Sequence, residues 1–199
     1  MLIKKKILGV YQENAYVIID EHTNDALIID PGDDGEELVP YLRNLKVNLK
    51  AILLTHGHVD HVGAVDAVRD AFSIPAYISE IDMKYIEKRK MAFGKMRTAD
   101  FFLSEGDRFE FAGKNIRIIG TPGHSKGSLS YLIDGVLFSG DVLFQNSVGR
   151  TDLPGGDMDE LLDSIKNKLL TLPESTRVMP GHGSETTLGM EKAFNAYLR

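Results

Sequence analysis

Residues 54–62 read LTHGHVDHV and bring three of the chain's six histidines together with an aspartate. The stretch begins where the apolar run AILL ends and finishes where a helical pattern starts. On extended backbone, residues two apart point to the same side, so His56 and His58 can converge on one ion. A turn then lets Asp60 and His61 face a second point nearby. Imidazole and carboxylate are ligands that zinc and iron accept, and the stretch therefore predicts part of a metal site.

Three further candidate ligands follow later in the chain, each directly after an apolar run in a turn that contains glycine. His124 stands in GTPGHS, Asp141 in FSGD and His182 in MPGHG. Because sheets present their binding sites at strand ends, we expect these side chains to meet the first cluster. A lone His-x-His pair is equally typical of surface histidines in a loop, but five histidines in one setting favour a metal site. His22, in the turn DEHTND, lacks this setting and is predicted to be solvated.

Short apolar runs, rich in β-branched residues and bounded by Gly, Pro, Asn or Asp, predict strands. They lie at 15–20, 26–30, 51–55, 75–79, 116–120, 129–133 and 136–140. Helical patterns lie at 35–47, 63–72, 80–90, 158–170 and 188–198. Asp33 and Asp34 are capping candidates for the first helix, and Pro40 must lie in its first turns or kink it. The pattern predicts an α+β fold of two mixed sheets flanked by helices, in a single domain over 1–199.

The composition is that of an acidic globular protein. The formal net charge is −6, hydrophobic residues make up 43% and charged residues 26%. The acidic balance argues against nucleic-acid and anionic-membrane partners, which need clustered Lys and Arg. No apolar stretch approaches the ~20 residues that span a bilayer. The chain has no cysteine, which excludes disulfides, thiolate ligands and a cysteine nucleophile and fits a reducing compartment, so we expect a cytoplasmic location.

The ordered set of candidate ligands resembles the signature of the metallo-β-lactamase superfamily, which is His-x-His-x-Asp-His followed by separate His, Asp and His. The matching residues here are His56, His58, Asp60, His61, His124, Asp141 and His182. The resemblance spans nearly the whole chain, from YVIIDEHTNDALIIDPG to the closing PGHG. It implies a four-layer αβ/βα sandwich with a dinuclear site in a cleft between the sheet edges. It implies a first metal on His56, His58 and His124. It implies a second on Asp60, His61 and His182, with Asp141 as the bridge.

Within the superfamily, the chain is similar to glyoxalase II and its short bacterial relatives, which hydrolyse thioesters. Lactamases with a cysteine ligand are excluded, and those without one generally lack the bridging aspartate that Asp141 supplies. In the loop after Asp141, where glyoxalase II uses a Lys and then a Tyr, this chain has Arg150 and Asp152. These two residues are the candidate substrate-binding residues. The fold and the metal site carry over from the resemblance, whereas glutathione recognition does not.

The resemblance implies a metal-dependent hydrolase that acts on small-molecule thioesters or related acyl esters. Two divalent ions are expected, zinc first, with iron or a zinc–iron mixture as alternatives. Asp60, Asp141 and one bridging hydroxide would leave two such ions with a net charge of about +1. Metal binding lowers the pKa of water toward ~7, so a bridging hydroxide can attack a polarised carbonyl at neutral pH. Asp60 is the candidate catalytic residue, because an oxygen free of the metal could orient the hydroxide and move its proton.

Other activities remain open on the same scaffold. Iron-dependent sulfur-oxidising dioxygenases resemble this scaffold with a single iron ion held by two histidines and one aspartate, and they act on a persulfide. His56, His124 and Asp141 could form such a site. Lactone hydrolysis shares the full ligand set. A silent metal-binding scaffold is disfavoured because all seven ligands are intact. The sequence specifies neither the acyl group nor the oligomeric state.

Arg150 lies in SVGRTDLPGG, shortly after Asp141, so this loop should begin near the site. One hypothesis is that Arg150 fixes an anionic substrate group through its two-pronged guanidinium. The alternative is an exposed ion pair with Asp152 or Asp157, which contributes ~0–1 kcal/mol.

A further hypothesis concerns the segment 88–102, which mixes Met, Phe and Gly. Met91, Phe93 and Met96 would line the acyl side of the substrate, because unbranched Met suits an adaptable apolar wall. The alternative is ordinary core packing under a loop.

Overall fold

The computed structural model describes residues 1–199 and is built around two six-stranded sheets. The strands are β1 Leu2–Leu8, β2 Glu13–Ile19, β3 Asp25–Ile29, β4 Asn48–Leu53, β5 Ala76–Ile78, β6 Phe101–Phe102, β7 Arg108–Phe111, β8 Lys114–Gly120, β9 Leu129–Ile133, β10 Val136–Gly140, β11 Leu143–Phe144, β12 Ser147–Val148, β13 Arg177–Pro180 and β14 Thr186–Thr187. The helices are α1 Gly35–Asn44, α2 Val59–Val62, α3 Val65–Phe72, α4 Glu80–Glu87, α5 Met158–Ser164 and α6 Leu188–Phe194. A π-helical turn, Ile165–Leu169, follows α5, and a 3₁₀ turn, Ala196–Leu198, follows α6.

Both sheets are mixed. The first has the order β1-β2-β3-β4-β5-β6, antiparallel from β1 to β3 and parallel from β3 to β6. The second has the order β14-β13-β10-β9-β8-β7 and is antiparallel except where β10 lies beside β13. The β9–β10 hairpin turns at Asp134 and Gly135, whose φ angles of 49° and 74° suit the tight turn that joins twisted strands. The predicted fold class is confirmed.

Side-chain alternation sorts the apolar residues into three clusters. On β2, Tyr16 and Ile18 face the second sheet, whereas Val17 and Ile19 face the helices. Helices α1, α3 and α4 cover the outer face of the first sheet, and α5 and α6 cover the outer face of the second. The layers run helix, sheet, sheet, helix, as the resemblance implies. Central strands are buried on both faces, which is why they read as continuous apolar runs.

The seven predicted strands all form, whereas four very short strands were not predicted: β6 and β14 lie at sheet edges, and β11 pairs with β12 in a separate small sheet. Each of β6, β11, β12 and β14 has two residues, too few for a periodic signal. Asp34 occupies the N-cap position of α1, as predicted, but its side chain caps no N–H of the helix: its φ is left-handed at 52°, and its carboxylate accepts from Gly9 N at 2.7 Å. Pro40 lies inside α1. No helix is long and apolar enough to cross a membrane.

Two buried tyrosines connect the sheets beside the turns that carry candidate ligands. Tyr131, on β9 of the second sheet, donates to the Leu54 carbonyl at 2.6 Å, just after β4 of the first. Tyr16, on β2 of the first sheet, donates to the Pro180 carbonyl at 2.7 Å, at the end of β13 of the second. Each hydrogen bond therefore links a strand of one sheet to the residues of the other sheet that directly precede candidate ligands.

Replacement of Tyr131 by Phe should lower the free energy of unfolding by about 1–3 kcal/mol, because the buried Leu54 carbonyl loses its donor. Tyr16→Phe should cost only about 0.5–1.5 kcal/mol, since the Pro180 carbonyl also accepts from Asn14 Nδ2. The exposed Tyr197→Phe is the control and should stay within about 0.5 kcal/mol of wild type. Urea unfolding of chelator-treated protein measures all three. Equal losses for Tyr131 and Tyr16 would contradict this account.

Candidate metal centre

The structure brings all seven candidate ligands together at the ends of four strands. His56 and His58 follow β4, and Asp60 and His61 lie on the short helix α2. The remaining three follow β8, β10 and β13, and they are His124, Asp141 and His182. The strands come from both sheets, so the cluster is assembled across the sandwich. His22 stays in an exposed turn, remote from these strand ends.

Three histidines form what we call the histidine triad: His56, His58 and His124. His124 Nε2 lies 2.9 Å from His58 Nδ1 and 3.2 Å from His56 Nε2. Burial, reinforced by the neighbouring histidines, lowers the pKa of His58 to about 3 and holds that of His56 well below its usual value. Both imidazoles are therefore neutral at neutral pH, the form that binds metals.

Asp60, His61 and His182 form a second group, the mixed triad. Asp60 Oδ2 lies 3.1 Å from His182 Nε2 and 3.9 Å from His61 Nε2. The potential ligand atoms within each triad all lie within 4.8 Å of one another. Asp141 stands between the triads, with Oδ1 3.4 Å from His61 Nε2 and Oδ2 3.6 Å from His124 Nε2. Its carboxylate can therefore reach both.

Backbone carbonyls fix the proton positions on two of the histidines. His124 Nδ1 lies 2.8 Å from the Arg150 carbonyl, and His182 Nδ1 lies 3.1 Å from the Tyr11 carbonyl. Because a carbonyl only accepts, each Nδ1 carries the proton. In its neutral form, each of these imidazoles therefore presents an Nε2 lone pair to the cluster, as a metal-binding imidazole does.

Asp30 orients His61 from behind. Its Oδ2 lies 2.9 Å from His61 Nδ1, and Thr55 donates to both oxygens through its backbone N–H and its hydroxyl. Asp30 also lies within 4.8 Å of His56 and His61. Because both of its oxygens accept these hydrogen bonds, Asp30 is placed to orient the candidate ligand His61 and not to coordinate a metal itself. Burial opposes the charged form of His61, but Asp141 and Asp30 outweigh it and hold the His61 pKa well above its usual value.

A cation fits this donor set. His61 Nε2 and Asp141 Oδ1 are buried, have no hydrogen-bond partner and lie 3.4 Å apart. Burial alone would raise the Asp141 pKa, yet His61 and the other histidines hold it well below its usual value, so the carboxylate is ionised. The raised His61 pKa means that, without a metal, a proton on Nε2 supplies the positive charge that this buried carboxylate needs, and a metal ion would take the place of that proton. The nitrogen and oxygen donors suit zinc or iron.

Gly181 is required by the close approach of two ligands. A Cβ at this position would lie 2.3 Å from Asp141 Oδ1 and 2.6 Å from His61 Cε1. Any side chain there would displace the carboxylate that stands between the triads.

Two adjoining cavities of 210 and 310 Å³ open beside the cluster. Both are lined by Tyr11, Asp60, His124, Asp141 and Arg150. Val59, Ala92 and Leu153 add apolar surface to the first cavity, and Phe144 adds it to the second. Candidate ligands thus face a cleft with mixed polar and apolar walls.

A larger surface cavity of 640 Å³ lies elsewhere, between α3 and the start of β6. Its arginines, Arg69 and Arg97, are already paired with Asp66, Asp70 and Asp100. Size alone therefore does not identify the site, because this cavity has no converging set of free ligand atoms.

Arg150 lies at the rim of the cleft and is paired with Asp152. Its Nε and Nη2 each donate to the Asp152 carboxylate at 2.7 Å, and the two side chains are 61% and 66% exposed. The hydrogen bonds from Arg150 lower the pKa of Asp152 to about 2. Asp157, the other partner considered, instead caps α5 by accepting from Glu160 N at 3.0 Å. Asp152 lines neither cavity.

The hypothesis that Met91, Phe93 and Met96 line the acyl side is wrong, because none of the three lines either cavity of the cleft. Phe93 is 8% exposed and packs edge-on against His58, with ring centroids 4.8 Å apart. Met96 packs against the core on the helix side. Met91 is 68% exposed, and Ala92 is the residue of this segment that lines the cleft.

Two residues at the site were not predicted. Asp30 is the last residue of the predicted strand at 26–30. The expectation that site residues lie at strand ends, which identified the histidines, would also have identified Asp30. Tyr11 is 62% exposed in the turn between β1 and β2. Nothing in its local sequence indicates that it lines a cleft, because only the tertiary fold brings that turn to His182.

Comparison with known proteins agrees with the fold. The sequence profile of the Metallo-beta-lactamase superfamily matches residues 8–182. The chain belongs to this superfamily, whose members are generally hydrolytic metalloenzymes.

Particular relatives are similar over nearly their whole length. The probable metallo-hydrolase YqgX of Bacillus subtilis is 38% identical, over 96% of this chain and 94% of its own. The hydroxyacylglutathione hydrolase GloC of Haemophilus influenzae is 39% identical, over 94% of this chain and 93% of its own. Among solved structures, the B3 metallo-beta-lactamase BLEG-1 is 44% identical with a TM-score of 0.92, over 99% of both chains. TTHA1623, in a di-iron-bound form, is 39% identical with a TM-score of 0.88, over 98% of this chain and 100% of its own.

Proposed function

We propose that this protein is a dinuclear metal-dependent hydrolase of thioesters or related small acyl esters. The position of Asp141 between the two triads supports two ions, because a single ion would need only one triad. GloC, a relative named for thioester hydrolysis, supports the substrate class. Zinc is the proposed metal, and iron is the alternative, since one similar structure holds two iron ions.

The ligand assignment follows the two triads. His56, His58 and His124 would hold one ion, and Asp60, His61 and His182 the other, with Asp141 shared. Two divalent cations bound there would polarise a carbonyl oxygen and make hydroxide available at neutral pH.

Asp60 is the proposed proton acceptor. It lines both cavities, so its carboxylate faces the position of the substrate. Burial raises the pKa of Asp60, but His182 and His61 outweigh burial and hold it below its usual value. The carboxylate is therefore ionised at neutral pH and can orient an attacking water and accept its proton.

Arg150 is the proposed anchor for an anionic group of the substrate. Its backbone carbonyl is fixed by His124 Nδ1, which keeps the residue beside the centre. Its Nη1 is free of hydrogen bonds, so it can donate to a substrate carboxylate while Nε and Nη2 stay bound to Asp152. Asp152 would contribute to substrate binding by orienting the guanidinium.

The two cavities on either side of the shared residues suit a substrate with two parts. Val59, Ala92 and Leu153 give the first cavity an apolar wall for an acyl chain. Phe144 and Tyr11 flank the second, where the carrier thiol could lie.

A substrate panel tests the proposed activity. Zinc-reconstituted protein should have its highest kcat/KM on small acyl thioesters, with S-acyl-glutathione included, and should lose activity on chelation. Asp60→Asn should lower kcat by ~100–10,000-fold, because the proton acceptor is lost. His22→Ala is the control and should leave kcat unchanged. Faster turnover of a lactone or a β-lactam would contradict the proposal, as would oxygen uptake with a persulfide by protein that holds one iron.

A second experiment tests the substrate role of Arg150. Arg150→Ala should raise KM for anionic thioesters by about 10–100-fold, which corresponds to the loss of a charge-assisted hydrogen bond. Neutral thioesters and metal content should be unaffected, and Arg150→Lys should restore binding only in part, since an ammonium lacks the fork. Arg177→Ala, which removes an exposed arginine paired with Glu185 away from the cleft, is the matched control. Equal losses for charged and neutral substrates, or unchanged kinetics for both, would exclude this role.

A further inference from the structure

A buried carboxylate on α4 joins two separate loops. Asp82 is 0% exposed, and its Oδ2 accepts from Gly57 N at 2.9 Å and from Ser125 Oγ at 2.7 Å. Its Oδ1 accepts from Gly127 N at 2.8 Å. Gly57 belongs to the loop after β4, and the other two donors belong to the loop after β8. One side chain therefore holds together loops that leave different sheets.

These two loops carry the whole histidine triad. Gly57 stands between His56 and His58, and Ser125 directly follows His124. The separation of 2.9 Å between His58 Nδ1 and His124 Nε2 is a distance across the sandwich, between residues on the two loops. Any change in the spacing of the loops changes that distance directly.

Asp82 is not needed to cap its own helix. Ser79 is the N-cap of α4, and its hydroxyl already accepts the hydrogen bond from Asp82 N at 3.1 Å. No lysine or arginine pairs with the Asp82 carboxylate. A buried carboxylate without a cationic partner is costly, and here three donors from the ligand loops offset that cost. The Asp82 carboxylate therefore stabilises the two loops and does not cap α4.

The packing around Asp82 leaves no space for adjustment. A Cβ on Gly127 would lie 2.5 Å from Asp82 Oδ1 and 2.1 Å from Ser79 Oγ. The glycine lets the backbone of the second loop reach the carboxylate, and the contact fixes that loop against α4.

We propose that Asp82 is a positioning residue for the histidine triad, which sets the spacing of the two ligand loops and thereby the affinity of the first metal position. The inference rests on the dinuclear centre of the proposed function and is independent of the thioester substrate. A carboxylate can accept from all three donors at once. An asparagine at the same position presents an NH₂ group to at least one N–H donor, so the loops must move apart.

The test measures zinc affinity of metal-free protein by competition with a chromophoric chelator, in two backgrounds. His182→Ala leaves the histidine triad as the intact triad, and His58→Ala leaves the mixed triad. Asp82→Asn should weaken zinc binding by about 10–100-fold in the first background and leave it unchanged in the second. Glu80→Gln removes the same charge from the same turn of α4, where it is exposed, and should have no effect in either background.

Ser125→Ala provides a second variant that keeps the buried carboxylate and removes one donor. Ser125→Ala should weaken zinc binding by the histidine triad, but by less than Asp82→Asn does. It therefore tests the positioning role even if Asp82→Asn does not fold. Equal weakening in both backgrounds would overturn the positioning role. A lower melting temperature of metal-free protein with unchanged zinc affinity would also overturn it. Failure of the proposed function is seen separately, as wild-type protein that saturates below two zinc ions or does not hydrolyse thioesters.

Discussion

The structure depends on holding a buried cluster of titratable groups in place against the cost of burying charge. Imidazole nitrogens and the carboxylates of Asp60 and Asp141 converge on one small volume between two sheets. His61 Nε2 and Asp141 Oδ1 face each other at 3.4 Å without a hydrogen bond, in surroundings that burial makes less polarisable than water. Such a cluster persists only where the fold holds each group in place, and it attracts positive charge strongly. Metal binding is the simplest use of that field.

The rest of the fold offsets this cost by holding the candidate ligands from outside the cluster. Acceptors behind the imidazoles fix their proton positions, as Asp30 does for His61. Tyr131 and Tyr16 link the sheets just ahead of the ligand turns, and Asp82 links two of the turns themselves. These contacts join elements far apart in sequence, so the site and the sandwich are stabilised together.

Much of the fold and the convergence of the seven candidate ligands could be predicted because each has a local signal. Strands buried on both faces appear as apolar runs, and most of the candidate ligands follow them in turns that contain glycine. Asp82, Tyr11 and the pairing of Arg150 with Asp152 could not be predicted, because their roles depend on which loops the tertiary structure brings together. Substrate specificity could not be predicted either, since one similar protein is named a B3 metallo-beta-lactamase and another a hydroxyacylglutathione hydrolase.

The number of metal ions bound at saturation tests the central claim most directly. Wild-type protein reconstituted with excess zinc, freed of unbound metal and analysed by mass spectrometry, should hold two ions per chain. His182→Ala should hold one, because only the mixed triad loses a ligand. Wild-type protein that saturates at one ion, with the same content in the His182 variant, would show that the two triads do not form a dinuclear centre.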